Sequence, residues 1–191
     1  MSLQSTPLHA RVERALEGLR IGAEHDYIGE PLSQLAHSLQ CAALAEAAHA
    51  PESEVLAALF HDIGHLIAAP GSLEMAGLGI HEHERIGAQW LTALGFAPEV
   101  CELVGAHVQA KRYLAYRNAA YFRRLSQASL GTLAFQGGPM SAAEAASFEA
   151  APLFKAKVRL RSWDEAAKDP AGPMPQLADF ASRIRTHLEL R

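Results

Sequence analysis

Cysteine is scarce in this 191-residue chain: there are two, Cys41 and Cys101, each in an apolar helical stretch and neither in a Cys-x-x-Cys pair. That excludes a disulfide scaffold and a thiolate zinc site, and it implies buried free thiols in a reducing, cytoplasmic compartment. Basic charge is in deficit, with 17 Lys and Arg against 21 Asp and Glu and a net charge of −4. A pI near 6.2 argues against a dedicated nucleic-acid binder, whose footprint on phosphate would be basic. No apolar run approaches the roughly 18–20 residues of a membrane span. Met1–Arg20 lacks a charged-then-apolar layout, so no secretory leader is expected. Glycine-rich phosphate loops are missing too, with neither Gly-x-Gly-x-x-Gly nor a Walker sequence present. What remains is an ordinary globular balance, 49% hydrophobic and 20% charged. With no repeat or linker, residues 1–191 read as one domain.

Period-two alternation is rare, and apolar residues recur at three and four instead. The expected fold class is therefore all-α, a bundle of about eight helices. Leu35, Leu39 and Leu44 mark a helix near 32–49, ended at His49-Ala50-Pro51. Ser53 caps the next, whose apolar face is Leu56, Leu59, Phe60 and Ile63. Ala69–Gly79 is a loop, and a helix over 81–94 stops at Gly95. Pro98 opens a helix to about residue 110, and a basic, aromatic helix follows over 112–128. After the turn at Gln136–Pro139, Ser141-Ala-Ala-Glu144 is a capping box. A helix over roughly 152–168 precedes a loop with Pro170, Pro173 and Pro175. Leu177, Phe180, Ile184 and Leu188 then stripe a final helix over about 176–190.

The ten histidines carry the chemical signal. His61-Asp62 sits at the C-terminal part of an apolar helix, where burial is costly unless both residues are paired or hold a cation. His37 lies 24 residues before His61, and His107 lies 24 after His83. Such spacing suits one ligand per antiparallel helix, each returning to a common level. With Asp164, the set is four imidazoles and two carboxylates, which suits iron, manganese, zinc or cobalt. Six ligands are too many for one ion that must also take substrate, so a carboxylate-bridged pair uses them best. Each histidine taken singly reads as a polar surface residue; the ordered six do not.

The order His…His-Asp…His…His…Asp, centred on His61-Asp62-Ile63-Gly64-His65, resembles the HD-domain superfamily of all-α metal proteins, most of them phosphohydrolases. Asp26-Tyr27-Ile28-Gly29-Glu30, then Gln34-Leu35-Ala36-His37 and Gln40-Cys41-Ala42, is similar to the mixed-valent diiron oxygenases that cleave 1-hydroxyalkylphosphonates, over about residues 24 to 168. The resemblance implies two iron ions, O2 as co-substrate, and oxidation of C1 to give phosphate and a carboxylate. It places His37, His61, Asp62 and Asp164 on the first iron. Asp62 bridges to a second iron held by His83 and His107. Tyr27 is expected to ligate or cover that second iron, and Glu30 to close over the substrate's nitrogen end. The His83-Glu84-x-x-Gly87-Ala88 context resembles the family's ligand, so His83 is preferred to His81; a helix turns about 200° over two residues and only one of them can face the ions.

A phosphonate head group needs cations and charge-assisted hydrogen bonds. His65 lies one turn after His61, Lys111 one turn after His107 and Arg161 three residues before Asp164, each sharing a ligand's face. The resemblance adds Ser129 and Gln136, and it makes Tyr27, Glu30 and His65 the candidate catalytic residues. Arg112, Arg117, Arg123 and Arg124 read as a solvated face, and His9, His25, His49 and His187 as surface residues without partners. The substrate is then a small 1-hydroxyphosphonate, either the 2-trimethylammonio compound, giving glycine betaine and placed first, or the 2-amino compound, giving glycine. Two alternatives stay open: a metal-dependent phosphohydrolase of nucleotides or phosphomonoesters, and a catalytically silent HD domain that binds a ligand.

Overall fold

The structure, a computed structural model, describes residues 6–27, 29–172 and 174–190. Ile28 of the Tyr27–Glu30 element and Pro173 of the proline loop lie outside the described residues. Eleven helices are present among them: α1 Leu8–Ile21, α2 Gln34–Ala47, α3 Glu52–Phe60, α4 Gly64–Ile67, α5 His83–Leu94, α6 Pro98–Arg117, α7 Ala119–Arg124, α8 Gln127–Phe135, α9 Ala142–Ala150, α10 Phe154–Ala166 and α11 Leu177–Glu189. There is no strand among the described residues, only isolated bridges at Asp26–Ser33 and Glu74–Ile80. The all-α expectation holds, and no helix is long and apolar enough to cross a membrane.

The count exceeds eight for local reasons. α1 was not anticipated, yet Val12, Ala15, Leu16 and Leu19 are buried at helical spacing against α11, whose stripe of Phe180, Ile184 and Leu188 is also buried. The basic, aromatic segment is not one separate helix. α6 runs unbroken to Arg117; Asn118 then leaves helical geometry, and its side chain accepts from the N–H groups of Ala120 and Tyr121 to start α7. Ser126 caps α8 in the same way. Ser53 is not a cap, because α3 begins at Glu52 directly after Pro51. The signals at Gly95 (φ 89°), Pro98 and the Ser141–Glu144 capping box all act as expected.

α3 is buried from Glu54 to Phe60. Burial of each large apolar side chain there contributes roughly 1.5–3 kcal/mol. Around it pack α2, α6 and α10, while α5 lies against α4 and α6. α3 ends at Phe60, so His61 and Asp62 occupy the turn before α4 rather than the end of a helix. That turn is held close to α5 by Gly64: a Cβ there would lie 1.9 Å from the His83 carbonyl oxygen. Backbone cannot yield as a flexible side chain does. Gly64→Ala is expected to cost roughly 2–3 kcal/mol and to push His83 from its place, read as a lower thermal midpoint together with reduced metal content.

Two surface expectations are corrected. His187 is half-buried; its Nε2 accepts the Ala97 N–H at 3.0 Å, which orders the start of α6, and its ring packs against Phe96. Arg112 is half-buried as well, donating to the Gly138 carbonyl (2.9 Å) and to Glu144 (2.7 Å), and so holds the glycine turn to α6. Arg117, Arg123 and Arg124 are exposed as expected.

Candidate metal centre

Four histidines converge from α2, the α3–α4 turn, α5 and α6, and all four are buried. In each, Nδ1 faces a backbone carbonyl: Ala167 for His37 (2.8 Å), Ala58 for His61 (2.8 Å), Ile80 for His83 (3.2 Å) and Val104 for His107 (2.8 Å). A carbonyl can only accept, so Nδ1 carries the proton and Nε2 presents a lone pair. Those lone pairs point at one another. His37 Nε2 lies 3.1 Å from His61 Nε2, and His83 Nε2 lies 3.0 Å from His107 Nε2. Two ligands about 2.1 Å from one ion at right angles sit roughly 3 Å apart. The backbone carbonyls are the partners that orient metal-bound imidazoles.

The carboxylates complete two groups. Asp164 Oδ1 joins His37 (3.5 Å) and His61 (3.8 Å), and it is buried without a hydrogen-bond partner. Asp62 divides its oxygens: Oδ2 lies 3.3 Å from His61 and 3.8 Å from His37, while Oδ1 lies 3.3 Å from His83 and 3.4 Å from His107. Burial opposes ionisation of Asp62, but the charge of His61 while its Nε2 still holds a proton, with hydrogen bonds from His107 and His83, outweighs it and holds the carboxyl well below its usual value; a cation would take the place of those Nε2 protons. Asp164 is likewise held low, with Arg161 and His61 overcoming burial. Converging lone pairs and two buried carboxylates repel one another unless cations stand between them. The residues therefore fit two cations. His81 does not belong to either group.

The same cavity is lined by Tyr27, Glu30, His65, Lys111, Ser129, Gln136 and Arg161, so every substrate-binding residue expected from the sequence reaches it. Two of them do so differently. Tyr27 stacks on His37 (3.9 Å, 13°), on the group the resemblance gives to the first iron rather than the second. Burial, then Asp164 and Asp62, keeps its phenol protonated. His65 belongs to α4, stacks on His83 at 3.9 Å and accepts the Ile80 N–H through Nδ1. Burial and His83 push it well below the ordinary imidazole range, so it is a neutral wall and not one of the cations.

Of the cations expected from the sequence, Arg161 and Lys111 reach the cavity, both 5% exposed. Burial works against the Arg161 charge, but Asp164, Tyr121 and Glu165 outweigh it. Its Nε donates to Tyr121 Oη at 2.7 Å, and its terminal nitrogens pair with Asp164 and Glu165. Lys111 Nζ donates to Thr132 Oγ1 at 2.9 Å. The sequence reading missed Thr132, Gln34 and Lys168 as cavity residues. Lys168 lies 3.0 Å from Glu165 and 3.5 Å from Glu30. Its position four residues beyond Asp164 was the available signal.

A family model described as the HD domain matches residues 35–133. A [1-hydroxy-2-(trimethylamino)ethyl]phosphonate dioxygenase (glycine-betaine-forming) of Leisingera caerulea is 39% identical over 162 residues, 85% of this chain and 82% of that protein. A hydroxymethylphosphonate dioxygenase of Gimesia maris is 38% identical over 192 residues, 99% of this chain and 93% of that protein. The matched span holds four histidines and Asp62 in the arrangement just described, and the chain belongs to the HD-domain family.

Proposed function

We propose that the chain is a dioxygenase that uses O2 and a pair of iron ions to cleave the carbon–phosphorus bond of a 1-hydroxyphosphonate. The balance takes up one O2: C1 becomes a carboxylate and phosphorus leaves as phosphate, with no nicotinamide or flavin. The observation that carries the reading is Asp62, whose two oxygens face two separate imidazole pairs in a cavity walled by Arg161 and Lys111. His37, His61, Asp164 and one oxygen of Asp62 would hold one ion, and His83, His107 and the other oxygen the second. Bound iron would supply the Lewis acidity and redox capacity that reaction with O2 requires. Arg161 and Lys111, with Ser129, Thr132 and Gln136, orient the phosphonate oxygens. The Tyr27 ring covers His37 and excludes water from that side. The acidic charge balance speaks for a small-molecule substrate over a nucleic acid, and two buried, unbridged thiols fit a cytoplasmic setting.

Lys111 gives the reading a pH signature. Burial, then Arg161, lowers it to about 7. The free protein has the full charge below that pH and loses it as pH rises, so kcat/KM for a phosphonate is expected to fall above pH about 7. Lys111→Arg should remove this step. Stability has the opposite sign: the depressed lysine opposes folding at low pH, and relief grows as pH climbs from about 7 towards 10.5.

The test of function is incubation of iron-loaded protein with 1-hydroxyphosphonates, with and without O2, followed by 31P NMR. Phosphate released only with O2 is the expected result. Metal-dependent, O2-independent hydrolysis of phosphomonoesters, with no phosphate from any phosphonate, would overturn it.

A further inference from the structure

Gln34 also lines the cavity; it is the first residue of α2, one turn before His37 and on the same helical face. Its backbone is fixed, since its N–H donates to the His25 carbonyl at 2.8 Å. Its side chain lines the cavity and the residue is 8% exposed, yet Oε1 is buried and has no hydrogen-bond partner among the described residues. A buried carbonyl without a donor is costly. Glu30, another acceptor lining the cavity, is shared with the Lys168 ammonium at 3.5 Å. Two buried amide oxygens that line the cavity lack a partner among the described residues, those of Gln34 and Gln136, and Gln136 is the one already assigned to the phosphonate end.

With the phosphonate end assigned to Arg161 and Lys111, the substituent on C1 is the part of the substrate left to meet Gln34. We propose that Gln34 is a specificity-determining residue, its side-chain carbonyl accepting a hydrogen bond from an N–H or O–H donor on the carbon attached to C1. The inference rests on the reading of the chain as a hydroxyphosphonate dioxygenase. Between the two nitrogen ends that the sequence leaves open, it favours the primary ammonium. A trimethylammonium has the same charge but no donor, so it leaves Oε1 buried and unpaired.

The test compares three phosphonates, the 2-amino-1-hydroxyethyl, 1-hydroxy-2-(trimethylammonio)ethyl and hydroxymethyl compounds, on iron-loaded wild type, Gln34→Met and Gln34→Glu. Wild type should prefer the amino over the trimethylammonio compound by roughly 10- to 100-fold in kcat/KM, the discrimination of an unpaired buried acceptor. Gln34→Met should erase that ratio while hydroxymethylphosphonate changes less than about threefold, and Gln34→Glu should keep it. An unchanged ratio in Gln34→Met, or an equal loss on all three compounds, would overturn the proposal. Calorimetric binding of the same ligands under argon gives the ratio independently of turnover. Absence of phosphate from every compound would therefore end the dioxygenase reading, while the binding ratio still decides the role of Gln34.

Discussion

Asparagine in place of Asp62 will empty both metal positions while leaving the fold intact. The carboxylate faces one imidazole pair with Oδ1 and the other with Oδ2. An amide keeps one acceptor and turns the other into a donor aimed at Nε2 lone pairs. The variant therefore replaces ion binding by hydrogen bonds and stays folded, where alanine would leave a hole. The expected result is a metal content near zero by elemental analysis and a kcat lowered about 10³-fold or more, with a thermal midpoint close to that of metal-free wild type. Retention of both ions with near-normal turnover would show that Asp62 does not bridge.

The metal centre was legible because its chemistry forces a pattern. Buried imidazoles and carboxylates cannot be placed casually, so their order along the chain survives as a signature, and His61-Asp62 pointed to the centre before any geometry was known. What the order did not carry was backbone detail. Ile63 continues the helical stripe of Leu56, Leu59 and Phe60 and so conceals the end of α3 at Phe60, because a buried turn and a buried helix can carry the same apolar spacing. α1 was missed for the opposite reason, its charged residues masking a narrow apolar stripe. Lys168 and Gln34 stand one helical turn from Asp164 and His37, but a single cation or amide at that spacing is common on any helix, and only the cavity unites them.

Loss of Arg161 should be the most damaging single change to stability. One guanidinium serves three acceptors, Tyr121 Oη, Asp164 and Glu165, at 5% exposure. Arg161→Met removes the charge and leaves two carboxylates facing the cavity with their chief partner gone. Breaking one side of a buried network costs about 3–5 kcal/mol, which for a chain of this length lowers the midpoint by roughly 6–20 °C. KM for a phosphonate should rise at least about tenfold, since a cation that would pair with the head group is lost. Arg161→Lys should recover part of the stability and little of the binding, because a point charge cannot reach three acceptors in a fork. A loss below about 1 kcal/mol in Arg161→Met, the range of exposed pairs, would mean that the network is solvated in solution.

The carbonyls that orient the four histidines divide the centre by distance along the chain. His61, His83 and His107 are each fixed by a carbonyl three residues earlier, so one helical turn suffices to aim them. His37 is fixed by Ala167, 130 residues away, and shares its group with Asp164 on α10. Contacts close in sequence close early, and distant ones wait for the chain to be brought together. The position built from Asp62, His83 and His107 is therefore the more local of the two, complete once the α3–α4 turn packs with α5 and α6. Its neighbour waits for α10 to dock, and the same docking delivers Arg161 to the cavity, so one late step completes the His37, His61 and Asp164 group and the cationic wall together.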